Sequence, residues 1–566
     1  MSIYDDKPWL RSYDAGIPAE IDLPATTYAA LLEEGLHARP QRAAVHFLGR
    51  TLTFAELENA SARFAVFLKA CGCTPGHTVG VNLPNTPQYL IALAGAIRAG
   101  CAVTGVSPLL SPTEMAYQLN DAGVKVLVTL DAIFEKKLAP VAGDIAGMTH
   151  VVATNIADPL PWIKRTLGKW LKKVPCGTVG PLPGKTVTTL PRILADYPAD
   201  KPAAALSPED TCLIQYTGGT TGLPKGTELT HANMAAHLTQ LTNWLNLGFG
   251  EEVFCSGFPF FHQAGLILTL TALRTANTQC LIPDPRNTAH ICEQIKTYRP
   301  TMLANVPSLY QMLVDNPTFK TLDLSSIRLC LSGAAPFAVE AINALEAYTG
   351  KGTVLEVYGM TETSPMITMN PYKGPKKIGS VGLPMPNTRV KLVDVETGTT
   401  EVPLGAEGEL IVQGPQVMKG YRNKPEETAH AKRDFAGGKW MFTGDVARMD
   451  EDGYITICDR VKDMLIVGGF KVFSREVEEK LYQLPEVEFC AIVGLPDDKR
   501  PGNDIVKAVV QLSTAARQQD PEAVKAKILD FCRQSVSPYK VPKRIEFIEA
   551  IPLTNVGKVD KKALRK

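Results

Sequence analysis

Long apolar runs are missing from this chain: none reaches the ~18 residues that a membrane-crossing helix needs. Metal-type cysteine spacing is missing too. Twelve cysteines are scattered, and the closest pair, Cys71 and Cys73, has no matching second pair. They are expected to be buried small residues in a reducing compartment. Neither charge dominates. There are 59 Lys+Arg against 58 Asp+Glu, net +1, so nothing global argues for a nucleic-acid partner. The acidic start Met1-Ser2-Ile3-Tyr4-Asp5-Asp6 lacks the basic and apolar regions of a signal peptide, and a cytoplasmic location is expected. No internal repeat or low-complexity segment occurs. The 566 residues are too many for one ordinary core, so two or more domains are expected.

The most distinctive stretch present is Tyr216-Thr217-Gly218-Gly219-Thr220-Thr221-Gly222-Leu223-Pro224-Lys225-Gly226. Four glycines and three threonines surround one lysine. Glycine lets a ligand approach the backbone. Threonine hydroxyls donate to anionic oxygens, and the ammonium adds a point charge. That chemistry suits a polyphosphate. The stretch is not the G-x-x-x-x-G-K-[ST] loop, because Leu223-Pro224 follows Gly222. A Gly/Thr-rich surface turn is the alternative. The apolar Cys212-Leu213-Ile214 reads as a strand before it, and Thr230 caps a helix beginning at His231. The loop therefore joins a strand to the next element, as phosphate cradles do.

Apolar strands alternate with helices from Val79 to about Val128 and again from Val253 to Ser332. That predicts a mostly parallel sheet covered on both faces. Thr51 to Leu57 is read as opening a helix. Beyond Pro384 short strands and tight turns predict a β-rich subdomain. After Arg460 a small α+β domain is expected, with a helix from Ser474 to Leu484 and another from Pro521 to Gln534. Residues 157–185 break the rhythm. In Trp162 to Val174 the residues Ile163, Leu167, Trp170, Leu171 and Val174 share one helical face. Lys164, Arg165, Lys169, Lys172 and Lys173 fill much of the rest. Two tryptophans among lysines predict a helix lying on an anionic membrane. A solvated helix with its stripe packed on the domain is the other reading.

Three further motifs carry chemistry. Tyr358-Gly359-Met360-Thr361-Glu362-Thr363 ends a strand, where open α/β sheets bind ligands. Glu362 suits magnesium, because hard cations take oxygen ligands. Thr443-Gly444-Asp445 with Asp459-Arg460 offers a carboxylate and a guanidinium to a ribose. Gly557-Lys558 places a lysine close to the C-terminus. Each alone reads as a turn, a helix start or a solvated charge; together, at distances that suit one site, they read as a nucleotide site.

Tyr216–Gly226, Tyr358–Thr363, Thr443–Asp445, Asp459–Lys462 and Gly557-Lys558 match in order the motifs of the adenylate-forming superfamily. That group contains acyl-CoA synthetases, luciferases and peptide-synthetase adenylation domains. The chain most resembles bacterial long-chain fatty acid–CoA ligases. Asn370-Pro371-Tyr372, Gly414 to Met418, Tyr539 to Lys543 and the 157–185 insert carry that likeness. One departure is Gly468-Gly469-Phe470-Lys471, where those ligases commonly have Ser-Gly-Phe-Asn.

The resemblance implies an α/β fold: a large N-terminal domain of parallel α/β subdomains plus a β-rich one, and a small mobile α+β C-terminal domain. The expected boundaries are 1–459, a hinge at 460–462, and 463–566. It implies that ATP and a carboxylic acid give an acyl-adenylate and pyrophosphate, and that CoA then displaces AMP. Thr217, Gly218, Gly219, Thr220, Thr221 and Lys225 would hold the β- and γ-phosphates. Thr361 would touch the α-phosphate and Glu362 would hold Mg2+. Gly333, Ala334 and Ala335 would flank adenine, with Glu356, Val357, Tyr358, Gly359 and Met360 nearby. Asp445 and Arg460 would hold ribose. Lys558 would bridge the substrate carboxylate and the α-phosphate. Lys462 would pivot, exchanging Lys558 for the CoA-side loop Gly468, Gly469, Phe470 and Lys471. His262, in Phe260-Phe261-His262-Gln263-Ala264-Gly265, would gate the acyl channel or serve as a core histidine. Expected partners are ATP, a fatty or related acid, CoA, the anionic inner face of a membrane and a second copy of the chain. Medium-chain, branched and aryl acids stay open, as do an acyl-AMP ligase loading a carrier protein and a non-catalytic nucleotide- and lipid-binding protein.

Overall fold

The computed structural model describes residues 2–170, 174–200, 204–217, 223–468, 470–497, 500, 503–553 and 559–565. Two large sheets dominate it. An eight-stranded sheet runs Gly420–Tyr421, Lys225–Thr230, Thr211–Thr217, Ala102–Gly105, Thr78–Asn82, Val124–Leu130, His150–Thr154, Thr186–Thr189. It is parallel from Thr211–Thr217 onward and antiparallel at the two strands before it. A nine-stranded sheet runs Leu383–Pro384, Met366–Met369, Val354–Gly359, Leu329–Ser332, Met302–Asn305, Val253–Ser256, Thr278–Leu281, Ala43–Phe47, Arg50–Thr53. Only its ends are antiparallel.

The inner strands are mainly apolar because both sheet faces are covered. Leu329–Ser332 and Met302–Asn305 are buried at every position. So is the helix Pro87–Arg98, and Gln263–Arg274 is nearly so. One continuous apolar cluster joins the two sheets through these helices. The β-rich part is an antiparallel five-stranded sheet centred on Gly438–Met449. The last unit has its own apolar cluster. There the helices Ser474–Leu481 and Pro521–Ser535 accompany the three strands Val487–Pro496, Asp504–Leu512 and Arg544–Ile548. The expected mixed α/β class with a β-rich region and an α+β C-terminal unit is what the molecule has.

Four local expectations differ. Thr51–Thr53 belongs to a strand, and the helix starts at Phe54, capped by Thr53 and Glu56 in a reciprocal pair. The helix from Ser474 stops at Leu481. Arg544–Ile548 is a strand that the sequence reading left out. The strands on either side of the Gly/Thr-rich stretch pair with each other as a hairpin, with Thr217 antiparallel to Lys225. The helix capped by Thr230 follows one strand later.

The cysteines are all free among the described residues, and nine of them are buried. Trp162–Trp170 is helical. Trp162, Ile163 and Trp170 are 70%, 59% and 76% exposed, so these three side chains are not packed on the protein. Leu167 and Lys169 side chains, and Leu171, Lys172 and Lys173, lie outside the described residues. No described helix is long and apolar enough to cross a membrane.

Candidate active site

The hairpin Thr211–Thr217/Lys225–Thr230 presents Thr217 and Lys225 side by side. Gly218, Gly219, Thr220 and Thr221 lie outside the described residues. Tyr216, at the hairpin, donates its hydroxyl to Asp121 Oδ2 at 2.6 Å. Lys225 Nζ lies 2.9 Å from Glu427 Oε2 and 4.5 Å over the Tyr421 ring. Tyr421 in turn donates to Glu362 Oε1 at 2.6 Å. The neighbouring strand Gly420–Tyr421 pairs with Lys225–Thr230, which is why this tyrosine reaches the site.

Glu362 is buried in the short turn Thr361–Thr363, beyond the end of the strand Val354–Gly359. A buried carboxylate among threonine hydroxyls is an all-oxygen donor set. Magnesium takes one or two carboxylates plus substrate phosphates, so the set fits that ion. No group of three or more acidic, His or Cys ligands occurs among the described residues, so the fit depends on phosphate oxygens. Met418 N–H donates to Glu362 O at 2.8 Å, and Ser364 Oγ donates to Gln416 O at 2.8 Å. These bonds tie the turn to the segment Gly414 to Met418.

On the other side of that strand end, Tyr358 donates to Asp445 Oδ2 at 2.6 Å. Arg460 Nε lies 3.0 Å from Asp445 Oδ1. Gly444, at φ 71, turns the chain there, and its N–H donates to Glu409 Oε1 at 3.0 Å. Burial and the Asp445 charge push the Tyr358 phenol well above its usual range. It therefore stays a donor, and Asp445 stays its acceptor. Gly333 lies against Val357: a Cβ there would meet Val357 Cγ2 at 2.7 Å. Ala334 follows in the left-handed region at φ 67. Gly333, Ala334, Val357 and Tyr358 thus form one thin-walled edge beside Asp445.

Glu356 is buried and accepts from Gly379 N–H at 3.1 Å. Burial raises its pKa to about 7, opposed by the Gly379 bond and the Arg475 charge. A carboxyl held above its unfolded value stabilises fully below that value, and the gain is lost as pH rises through 7. Glu356→Gln removes this dependence. Denaturant unfolding at pH 5 and pH 8 should show the variant gaining on the wild type by ~1–3 kcal/mol at the higher pH. Equal differences at both pH values would reject the assignment.

His262 caps the helix Gln263–Arg274, its Nδ1 accepting from Ala264 N–H at 3.3 Å. The next residue, Gln263, donates to Ser364 O at 3.2 Å. The segment Phe260 to Gly265 therefore touches the Glu362 turn directly. Phe260 lines a small cavity of about 10 Å³, together with Ser256, Thr269 and Gln279 among others. That is room for about one water and not for an acyl chain.

The C-terminal loop is held elsewhere. Lys471 pairs with Glu396 at 3.2 Å, and Phe470 stacks on Tyr539 at 4.7 Å. Gly468 N–H donates to Asn503 Oδ1. Gly469 and Lys558 lie outside the described residues. At the junction, Asp459 accepts from Ser474 N–H and, at 3.1 Å, from Ser474 Oγ. Asp463 pairs with Arg565 at 2.6 Å. Lys462 stands between these two anchors. Sequence reasoning missed Tyr421, Glu427 and Asp121. Only Gly420-Tyr421 ahead of the acidic Pro425-Glu426-Glu427 was visible, and that reads as an ordinary helix start.

Residues 32–422 match the AMP-binding enzyme family, and residues 476–558 match the AMP-binding enzyme C-terminal domain. The chain belongs to the AMP-binding enzyme family. It is 37% identical over 563 residues to a long-chain-fatty-acid–CoA ligase of Bacillus subtilis, covering 99% of this chain and 97% of that one. It is 35% identical over 568 residues to the ligase of the same name from Escherichia coli, covering 99% and 98%. Among solved structures it resembles the anthranilate CoA ligase AuaEII in complex with anthranoyl-AMP. That likeness has a TM-score of 0.83 at 26% identity, covering 96% of this chain and 98% of that one. ATP and CoA as substrates fit this AMP-binding family.

Proposed function

We propose that this AMP-binding enzyme is an acid–thiol ligase that converts a long-chain fatty acid to its CoA thioester. The observation that carries the reading is the site itself. Lys225 lies over Tyr421, which donates to the carboxylate Glu362, and a Tyr358–Asp445–Arg460 set of ribose type stands at the same strand end. Full-length likeness to two fatty acid–CoA ligases supports the substrate class.

A carboxylate is a poor acyl donor because oxide leaves badly. One carboxylate oxygen attacks the α-phosphorus of ATP, the bond to the β-phosphate breaks, and pyrophosphate departs. The CoA thiolate then attacks the acyl carbon and AMP leaves. The first step brings an anion to a polyanion, so positioning and charge neutralisation dominate. Thr217 to Thr221 and Lys225 hold the β- and γ-phosphates. Thr361 contacts the α-phosphate, and Lys558 bridges it to the substrate carboxylate. Gly333 to Ala335 and Glu356 to Met360 flank adenine, while Asp445 and Arg460 hold the ribose. Glu362 would hold magnesium, which would supply charge neutralisation on the phosphates. Lys462, in the hinge 460–462, lets the unit 463–566 present Lys558 first and the Gly468 to Lys471 loop second. His262 gates the acyl side.

The deciding experiment is a panel of acids of graded chain length, plus benzoate, scored for AMP release with CoA present. Long-chain acids should give the highest kcat/KM. Highest activity on benzoate would move the substrate to the aryl class, which the anthranilate ligase neighbour favours.

The exposed Trp162, Ile163 and Trp170 beside Lys164 and Arg165 support a second element of the reading. This helix lies on anionic lipid and brings the enzyme to an insoluble substrate. Lys164→Glu with Arg165→Glu should weaken co-sedimentation with phosphatidylserine vesicles roughly tenfold or more, at about 1 kcal/mol per basic residue. Unchanged sedimentation of the folded variant would reject membrane contact.

A further inference from the structure

Lys225 is not free to receive a phosphate. Its ammonium is 2.9 Å from Glu427 Oε2, a residue 202 positions away, and that contact holds the Glu427 carboxyl below its usual range. Glu427 lies in the helix Pro425–Ala431, whose position is set by two bonds of Thr428. Thr428 Oγ1 accepts from Tyr421 N–H at 2.8 Å and donates to Lys424 O at 2.9 Å. The Glu427 side chain is 53% exposed and that of Lys225 is 28% exposed, so the pair sits at the mouth of the site. Glu427 carries the same sign as the ligand that Lys225 is to bind. A polyphosphate and this carboxylate cannot both hold the ammonium without like-charge repulsion.

The Tyr421 ring is a different kind of partner. It attracts the ammonium from the side of its face, without competing for the N–H donors as a carboxylate does. Its hydroxyl is committed to Glu362 at 2.6 Å. One side chain therefore sets the spacing between the phosphate lysine and the metal carboxylate, whether or not Glu427 is engaged.

We infer that Glu427 is an internal counter-ion, which occupies Lys225 between turnovers and exchanges with the terminal phosphates of the nucleotide. Tyr421 is the positioning residue that holds Lys225 and Glu362 in place through the exchange. This rests on the reading of Lys225 as a phosphate ligand. The exchange weakens ATP and pyrophosphate alike, since both meet the same lysine, and it hastens release of pyrophosphate after adenylation.

The test is equilibrium binding of ATP and of pyrophosphate by calorimetry at low salt, with the full chain. Glu427→Gln should tighten both ligands about two- to fivefold, the worth of one partly exposed ion pair. Lys225→Met should weaken both. In the Lys225→Met background Glu427→Gln should change nothing, because coupled neighbours are non-additive. Tyr421→Phe keeps the ring and should preserve the Glu427→Gln gain. Lys225→Met weakening both ligands while Glu427→Gln leaves them unchanged would overturn the counter-ion and leave the phosphate role of Lys225 standing. Lys225→Met with wild-type affinities would overturn both. Glu427→Gln tightening ATP equally in the Lys225→Met background would make Glu427 a general repulsive charge and overturn the exchange.

Discussion

Lys558→Ala should slow acyl-adenylate formation by ~10²–10³, the usual cost of removing one preorganised donor to a developing charge. The attacking carboxylate and the α-phosphate are both anionic, and their charges converge only in the transition state. A lysine between them stabilises that state more than the bound substrates. ATP affinity should change little, because Asp445, Arg460 and Lys225 remain. Thioester formation from supplied acyl-adenylate should survive, since it needs the thiol and not the bridge. Acid-dependent ATP–pyrophosphate exchange measures the first step, and CoA consumption with supplied acyl-adenylate measures the second. Wild-type exchange, or equal loss of both steps, would return Lys558 to the solvated charge that its place in a polar tail suggests. Leu553 and Val559, on either side of its segment, pair as an antiparallel bridge, so the variant leaves the flanking backbone supported.

Lys462→Pro should do the reverse: adenylate forms, and the thioester does not. Proline locks φ near −65° and pushes the preceding residue toward extended backbone. The chain at this point runs between two anchored neighbours. Val461 N–H donates to Gly444 O at 2.9 Å, and Asp463 N–H donates to Arg460 O at 2.9 Å. Any turning of the C-terminal unit about 460–462 must change the dihedrals between those anchors, and a ring there forbids it. Lys471 now pairs with Glu396 and Phe470 stacks on Tyr539, contacts that the proposed turn would exchange. Lys462→Ala is the control, and it should keep both steps. Loss of adenylation and thioester formation together in the proline variant would mean that the position supports folding and is not a pivot.

The class of fold was legible in the chain, and so was most of its alternation. Val253–Ser256, Thr278–Leu281, Met302–Asn305 and Leu329–Ser332 stand where their apolar runs predict, within about two residues at each end. Burial on both faces leaves a continuous apolar signature that survives without any partner being known. Edges were less legible. Lys225–Thr230 alternates with polar residues and carries the glycine of the loop, and it becomes a strand because Thr211–Thr217 and Gly420–Tyr421 flank it. Thr51–Thr53 is strand for the same reason, its partner being Ala43–Phe47.

The candidate site divides in the same way. The candidate motifs were visible as local words: Thr217 to Lys225, Tyr358 to Thr363, Thr443 to Asp445, Asp459 with Arg460, and Gly557 with Lys558. The sequence alone determined that a Gly/Thr-rich stretch with a lysine, a carboxylate after a strand and an Asp–Arg pair occur in one chain. Their mutual contacts belong to tertiary structure. Tyr358 meets Asp445 across 87 positions, Tyr421 meets Glu362 across 59, and Glu427 meets Lys225 across 202. No periodicity links such positions, because each pair is joined by strand order and sheet edge and not by helix or strand repeat. The exposure of Trp162, Ile163 and Trp170 was equally undecided by pattern. An amphipathic pattern reads the same whether protein or water covers it, and only the packed structure shows that these three side chains stand exposed.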